Sequence, residues 1–340
     1  MNLPILSVRN LCVSFTTPDG VVHAVNDVSF DVKAGQTLGI VGESGSGKSV
    51  TAGSIMRLNN SITAETSGSV VIDGVDILNC SEEQARAIRG SEVAMVFQDP
   101  LSALNPYYTV GYQIAEAYEV HHPNASKSET RKVVLDMLTK VGIPNPEKRY
   151  DEYPHQFSGG MRQRIVIAIA LVNKPKILIA DEPTTALDVT VQAQILDLML
   201  ELQRETNMAI ILITHDLGVV AEVARDVLVM YAGRVVEEAE VNSLFASPTH
   251  PYSWGLLGAV SSLDEHKRGQ LRTISGTPPS LISIPSGCAF RPRCEFYEGE
   301  DSDCHNRVPD LRIIGGLSSS SACHLSDQQI IEIGKSKVLS

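Results

Sequence analysis

Residues 42–49 read Gly-Glu-Ser-Gly-Ser-Gly-Lys-Ser, and no other stretch restricts the folding of this chain so strongly. Three glycines in six positions let the backbone curl until successive N–H groups face one point. The preceding run Leu38-Gly39-Ile40-Val41 is apolar on both faces, as a central parallel strand must be. The residues from Gly47 to about Leu58 read as a helix. Strand, glycine loop and helix start together form an anion trap, with unpaired amides and the positive dipole end aimed at a phosphate. The spacing fits G-x-x-x-x-G-K-[ST] at every fixed place. It predicts that Gly42, Glu43, Ser44, Gly45, Ser46 and Gly47 wrap the phosphates of a nucleotide. Lys48 reaches the β- and γ-phosphates, and the Ser49 hydroxyl ligates Mg²⁺. A chance match in a chain of this length is on the order of one in a hundred.

The surrounding sequence supplies the rest of an α/β domain. Leu11–Phe15, Val28–Val32 and Thr37–Val41 are short β-rich runs broken by turns such as Pro18-Asp19-Gly20. Residues 99–160 lose that character and carry helical patterns around Val110–Val120 and Ser128–Val141. A helix over Met161–Asn173, a strand over Lys176–Ala180, a helix over Val189–Glu205 and a strand over Ala209–Thr214 follow. Alternating units of this kind indicate a parallel sheet covered on both faces. From about Pro248 the texture becomes turn-rich with little periodicity, and no internal repeat is present.

Two further motifs carry chemistry. Lys176–Ala180 is an apolar run that ends in Asp181 and Glu182. An acid at the tip of such a strand suits Mg²⁺, and its neighbour suits polarisation of an attacking water. Alone, the pair would be two solvated acids at a strand end; beside a phosphate loop the catalytic reading prevails. Phe157-Ser158-Gly159-Gly160-Met161-Arg162-Gln163-Arg164 opens the next helix. A serine N-cap with two glycines is a second anion trap.

Here the sequence resembles the ABC ATPases. Ser158, Gly159 and Gly160 match their L-S-G-G-Q signature, with Phe157 in the first place and Met161 in the fifth. Gln98 resembles the Q-loop glutamine, also a Mg²⁺ ligand, and Thr185-Ala186-Leu187-Asp188 resembles the D-loop, with Asp188 near the nucleotide. His215 resembles the switch histidine that meets the γ-phosphate. Phe15 resembles the aromatic that stacks on adenine, though the family usually has Tyr there; core packing is the equal alternative. The resemblance implies an ABC-type P-loop ATPase over residues 1–250, with an N-terminal antiparallel β region and a helical subdomain at about 99–164. Two such domains would pair head to tail, each ATP lying between one phosphate loop and the other signature. Mg²⁺ would be held by Ser49, Gln98 and Asp181, with Glu182 as general base and Gln98 and His215 completing the catalytic set.

Residues 251–340 form the expected C-terminal extension. Cys288, Cys294, Cys304 and Cys323 fall there, out of six cysteines in all. His250-Pro251-Tyr252 and Gly287-Cys288-Ala289-Phe290-Arg291-Pro292-Arg293-Cys294 resemble the C-terminal region of oligopeptide and dipeptide importer ATPases. Members of that group carry a cysteine-bound [4Fe-4S] cluster, which the resemblance implies here. The spacing itself fits neither zinc-ribbon pairs nor the ferredoxin run, so zinc and no metal stay open. His305 and His324 read as bystanders.

Composition narrows the function. A net charge of -12 argues against a nucleic-acid carrier. No apolar run approaches the roughly 18 residues that cross a bilayer, and the N-terminus lacks a signal-peptide pattern. The resemblance therefore implies a peripheral subunit on the cytoplasmic face of the membrane. Its partners would be two transmembrane permease subunits, a second ABC ATPase (a paralogue) and an extracytoplasmic substrate-binding protein. The transported solute would be di- or oligopeptides, with nickel, glutathione or a sugar as alternatives. A soluble ABC ATPase, or a subunit that binds ATP without hydrolysing it, are the competing classes; intact Glu182 and His215 count against the latter.

Overall fold

Five-residue runs rich in branched aliphatics are buried along their whole length in three strands, Thr37–Val41, Ile177–Asp181 and Ala209–Ile213. A strand buried on both faces has no polar face to lose, which is why these runs do not alternate. The computed structural model describes residues 3–60, 62–185, 187–264 and 274–339. They form two compact units, Met1–Ser7, Asp31–Gln36 and Val71–Leu212 in one, Val8–Phe30, Thr37–Val70 and Ile213–Ser340 in the other.

In the first unit, Val93–Val96 pairs in parallel with Ile177–Asp181, from Val93 opposite Ile177 to Val96 opposite Ala180. Ala209–Ile213 lies on the other side of Ile177–Asp181. The expected helical stretch contains Val110–Glu119 and Lys127–Lys140, close to the bounds read from periodicity. Both starts are fixed by side-chain caps. Thr109 Oγ1 accepts from Tyr112 N–H at 3.3 Å, and Ser126 Oγ accepts from Glu129 N–H at 3.2 Å. Gly159–Leu171 is the next long helix, and Val189–Thr206 runs from an Asp188 cap to Asn207 in the left-handed region.

In the second unit, Thr37–Val41 pairs in parallel with Asp226–Tyr231, which turns through Ala232 and Gly233 into antiparallel Arg234–Glu240. Ser320–Ser321 and then Arg312–Ile313 extend that sheet by antiparallel pairing. The C-terminal residues thus add strands to the sheet that carries the phosphate-loop strand. A separate sheet has Leu6–Thr17 between Gly20–Val32 and Ala64–Ile72; the first two strands are 12 and 13 residues long, far longer than the runs expected from sequence. The helix after the glycine loop is Lys48–Ile55, shorter than the pattern to Leu58 suggested, because a turn follows at Met56 and Arg57.

The tail departs further from expectation, since two helices frame it, Pro251–Asp264 and Asp327–Leu339. They meet through shape more than through a periodic stripe. Trp254 is buried with its indole N–H on Pro248 O at 2.8 Å, and a Cβ at Gly334 would stand 2.5 Å from that same oxygen. Between them, the stretch after residue 276 is turn-rich as read. Tyr252, Leu257 and Phe290 share one hydrophobic cluster with Val41, Val227, Val229 and Tyr231. The extension and the phosphate-loop strand therefore have a common core.

One carboxyl group supports the start of Pro251–Asp264. Glu237 is fully buried, and its two oxygens accept the N–H groups of Thr249 at 2.7 Å and His250 at 2.9 Å. Burial nevertheless pushes its carboxyl up to about 7, from an ordinary 4.5. Between those values the folded protein holds a proton that the unfolded chain releases. The resulting stability is complete below the ordinary carboxylate range and is lost as pH rises through about 7. Thermal denaturation should therefore show the wild-type midpoint falling from about pH 5 to about pH 8 more steeply than that of Glu237→Gln. Equal slopes would contradict this assignment.

Candidate active site

The phosphate loop leaves the strand Thr37–Val41 and enters the helix Lys48–Ile55. At Gly42, φ is +152° and a methyl group would collide with the carbonyl of Met230; at Gly47, φ is +102° and it would collide with the carbonyl of Ala24. Both residues are glycine because backbone from elsewhere in this unit comes too close for any side chain. Lys48 is buried, and its Nζ donates to Gly42 O at 2.8 Å, Glu43 O at 3.0 Å and Ser46 Oγ at 3.4 Å. The ammonium thus sits inside the curl of its own loop. Ser46 N–H closes the turn onto Glu43 O at 3.2 Å, and Gly233 N–H donates to Ser46 O at 3.0 Å. A Cβ at Gly45 would meet nothing within 4 Å, so the loop opens outward there.

Ser49 is exposed at the start of that helix. His215 is exposed two residues beyond Ala209–Ile213, directly before a helix capped by Asp216, whose Oδ1 accepts Gly218 N–H at 2.8 Å. Phe15 is half-buried on Leu6–Thr17. Two contacts to the loop come from residues to which the sequence reading gave no role. Tyr252 Oη accepts Glu43 N–H at 2.8 Å, and the guanidinium of Arg293 grips the Glu43 carboxylate. Both residues stand in the segments quoted for the peptide-importer resemblance, which was the available signal.

In the other unit, Asp181 is the buried end of its strand and Glu182 follows with φ +47°. A non-glycine residue in the left-handed region stores strain, a frequent mark of functional positions. The structure brings Gln98 and Glu182 together: Gln98 Nε2 and Thr185 Oγ1 both donate to Glu182 Oε2 at 2.9 Å. Ser158 caps Gly159–Leu171, its Oγ accepting Met161 N–H at 3.4 Å. A side chain at Gly160 would force Val191 to shift, since a Cβ would stand 2.6 Å from Val191 Cγ1. Asp188 caps Val189–Thr206 through Val191 N–H at 2.9 Å.

Burial pushes all four C-terminal thiols up, Cys294 to about 11 and Cys323 to about 12. Cys323 also feels charge on Cys288, Cys294 and Cys304, so the four sulfurs share one neighbourhood. The expected metal centre at Cys288, Cys294, Cys304 and Cys323 is not supported by the geometry. Among the described residues no group of three or more His, Cys, Asp or Glu side chains is placed to hold a metal ion. The two histidines are engaged elsewhere, His305 Nδ1 with Tyr297 Oη at 2.8 Å and His324 Nε2 with Arg307 O at 2.9 Å.

Residues 25–185 match the family described as ABC transporter, and residues 236–300 match the oligopeptide/dipeptide transporter, C-terminal region. The dipeptide transport ATP-binding protein DppD of Bacillus subtilis is 56% identical over 291 residues, 85% of this chain and 86% of that protein. The oligopeptide transport ATP-binding protein OppD of Haemophilus influenzae is 52% identical, spanning 86% of this chain and 90% of that one. Among solved structures, the ATP-binding cassette MJ0796, dimeric in a post-hydrolysis state with ADP and Pi, is 28% identical with a TM-score of 0.62. That match covers 69% of this chain and 98% of MJ0796. The chain therefore belongs to the ABC transporter family, in its group of oligopeptide and dipeptide transport ATP-binding proteins. No helix among the described residues is long and apolar enough to cross a membrane.

Proposed function

We propose that this chain is the ATP-hydrolysing subunit of an importer for di- or oligopeptides. The observation that carries this reading is the glycine loop curled around the Lys48 ammonium, in a chain 56% identical over 291 residues to a dipeptide transport ATP-binding protein. Residues 1–250 would form the ATPase domain, with helices at about 99–164 facing the permease, and residues 251–340 the extension. The chain would lie on the cytoplasmic face of the membrane. It would work with two permease subunits, a paralogous ATPase and an extracytoplasmic binding protein.

In this reading the amides of Gly42–Gly47 and the ammonium of Lys48 take the phosphates of ATP. Lys48 already points at loop oxygens, so a phosphate oxygen needs only to take the place of one carbonyl acceptor. Ser49, Asp181 and Gln98 offer the oxygen donors that a hard cation takes. Bound Mg²⁺ would offset negative charge that develops on the phosphates. Glu182 takes a proton from the attacking water. Two donors on one carboxylate oxygen, from Gln98 and Thr185, fix its orientation for that task. His215 meets the γ-phosphate, Phe15 meets adenine, and Ser158, Gly159, Gly160 and Asp188 serve the nucleotide of the paired ATPase. The dimeric state of MJ0796 supports such pairing.

The same reading assigns Cys288, Cys294, Cys304 and Cys323 to a [4Fe-4S] cluster. Its support is the shared neighbourhood of the four sulfurs and the family match over residues 236–300.

Glu182→Gln should bind ATP about as tightly as the wild type while turnover falls about a hundred-fold or more. Wild-type hydrolysis by that variant would overturn the assignment of the base. For the cluster, the chain purified without oxygen should carry about four irons and acid-labile sulfide. Zinc in their place, or no metal at all, would remove the cluster and leave the ATPase intact.

A further inference from the structure

Glu43 is a variable position within the phosphate-loop pattern, yet each of its polar groups is held. Its N–H donates to Tyr252 Oη at 2.8 Å, and its carbonyl accepts from Lys48 Nζ at 3.0 Å and from Ser46 N–H at 3.2 Å. Its carboxylate takes the Arg293 guanidinium as a fork, Nη1 to Oε2 at 2.6 Å and Nη2 to Oε1 at 3.0 Å. Paired N–H to O bonds of this kind fix direction as well as distance.

Arg293 is itself immobilised. Its side chain is only 3% exposed, its Nε donates to Ser275 O at 3.0 Å, and its guanidinium carbon lies 5.8 Å from the Tyr231 ring centroid. Tyr231 and Tyr252 are fully buried and stack at a tilt, with centroids 4.7 Å apart and Phe290 against both. A desolvated arginine is costly unless paired, and here Glu43 is its counter-ion. The turn Arg291–Arg293 that presents the guanidinium lies between Cys288 and Cys294 in the chain.

We propose that Arg293 and Tyr252 are positioning residues for ATP binding and hydrolysis: through Glu43 they fix the backbone of the phosphate loop. The C-terminal extension is then a working part of the nucleotide site. The carbonyl of Glu43 is one of the oxygens that hold Lys48, so a displaced Glu43 shifts the ammonium as well. This inference rests on the ATPase reading above. A pair that merely staples the extension to the core would act on melting temperature alone.

The test uses the full chain, with ATP affinity, KM and kcat measured beside thermal denaturation. Arg293→Met and Glu43→Gln should each weaken ATP binding and raise KM by about ten-fold, and the double variant should be no worse than either single one. Arg293→Lys keeps the charge and loses the fork, so it should fall between Met and wild type. Should Arg293→Met fail to fold, Tyr252→Phe decides. It keeps the buried ring, removes only the acceptor of Glu43 N–H, and should raise KM by about three-fold. Folded Arg293→Met or Tyr252→Phe with wild-type KM would overturn the inference, whatever their melting temperatures. If the wild type itself neither bound nor hydrolysed ATP in the same assay, the ATPase reading would fail instead.

Discussion

The second unit is arranged around a buried ammonium bonded to main-chain carbonyls. A lysine inside a protein needs oxygen partners, and Lys48 finds Gly42 O and Glu43 O because the chain ahead of it curls back. That curl requires glycine at Gly42 and Gly47, where Met230 and Ala24 carbonyls leave no space for a Cβ. The Met230 carbonyl is in place because Thr37–Val41 pairs in register with Asp226–Tyr231, and the Ala24 carbonyl comes from Gly20–Val32 in the separate sheet. The loop's shape is thus a consequence of sheet register, and a one-residue slip would remove it.

The C-terminal extension belongs to the same arrangement. It adds two short strands to the sheet that holds the loop, contributes Tyr252, Leu257 and Phe290 to the shared core, and grips Glu43 from outside. Relatives named for oligopeptide and dipeptide transport align over 85% or more of this chain, so the likeness reaches past residue 250. An extension built into the core in this way cannot vary independently of the nucleotide loop.

Much of this was legible because the relevant contacts are local in sequence. The Lys48 contacts to Gly42 and Glu43 and the Ser158 and Asp188 caps each lie within a few residues of what they bond, the acid-ended strand is a contiguous apolar run, and periodicity placed Val110–Glu119 and Lys127–Lys140 to within a residue or so. What escaped is long-range. Tyr252 and Arg293 reach Glu43 across 209 and 250 residues, and no local pattern encodes such a pairing. The tail helices escaped because Trp254 and Gly334 meet by close approach, which leaves little amphipathic signal. Glu237 escaped because a buried acid on a strand looks like a surface one until the helix start above it is known. The cysteines show the opposite case: resemblance, not spacing, implied a centre, and the four buried sulfurs share one neighbourhood although no group of three or more metal-ligating side chains forms among the described residues.

The central claim is that ATP hydrolysed by this chain drives peptides across a membrane. The most direct measurement is uptake of labelled di- and oligopeptides by cells whose only copy of this chain is either wild type or Lys48→Ala. The account predicts accumulation with the wild type and none with the variant, while both chains are present at equal levels. Equal peptide accumulation in the two strains, or wild-type cells that accumulate no peptide, would contradict it.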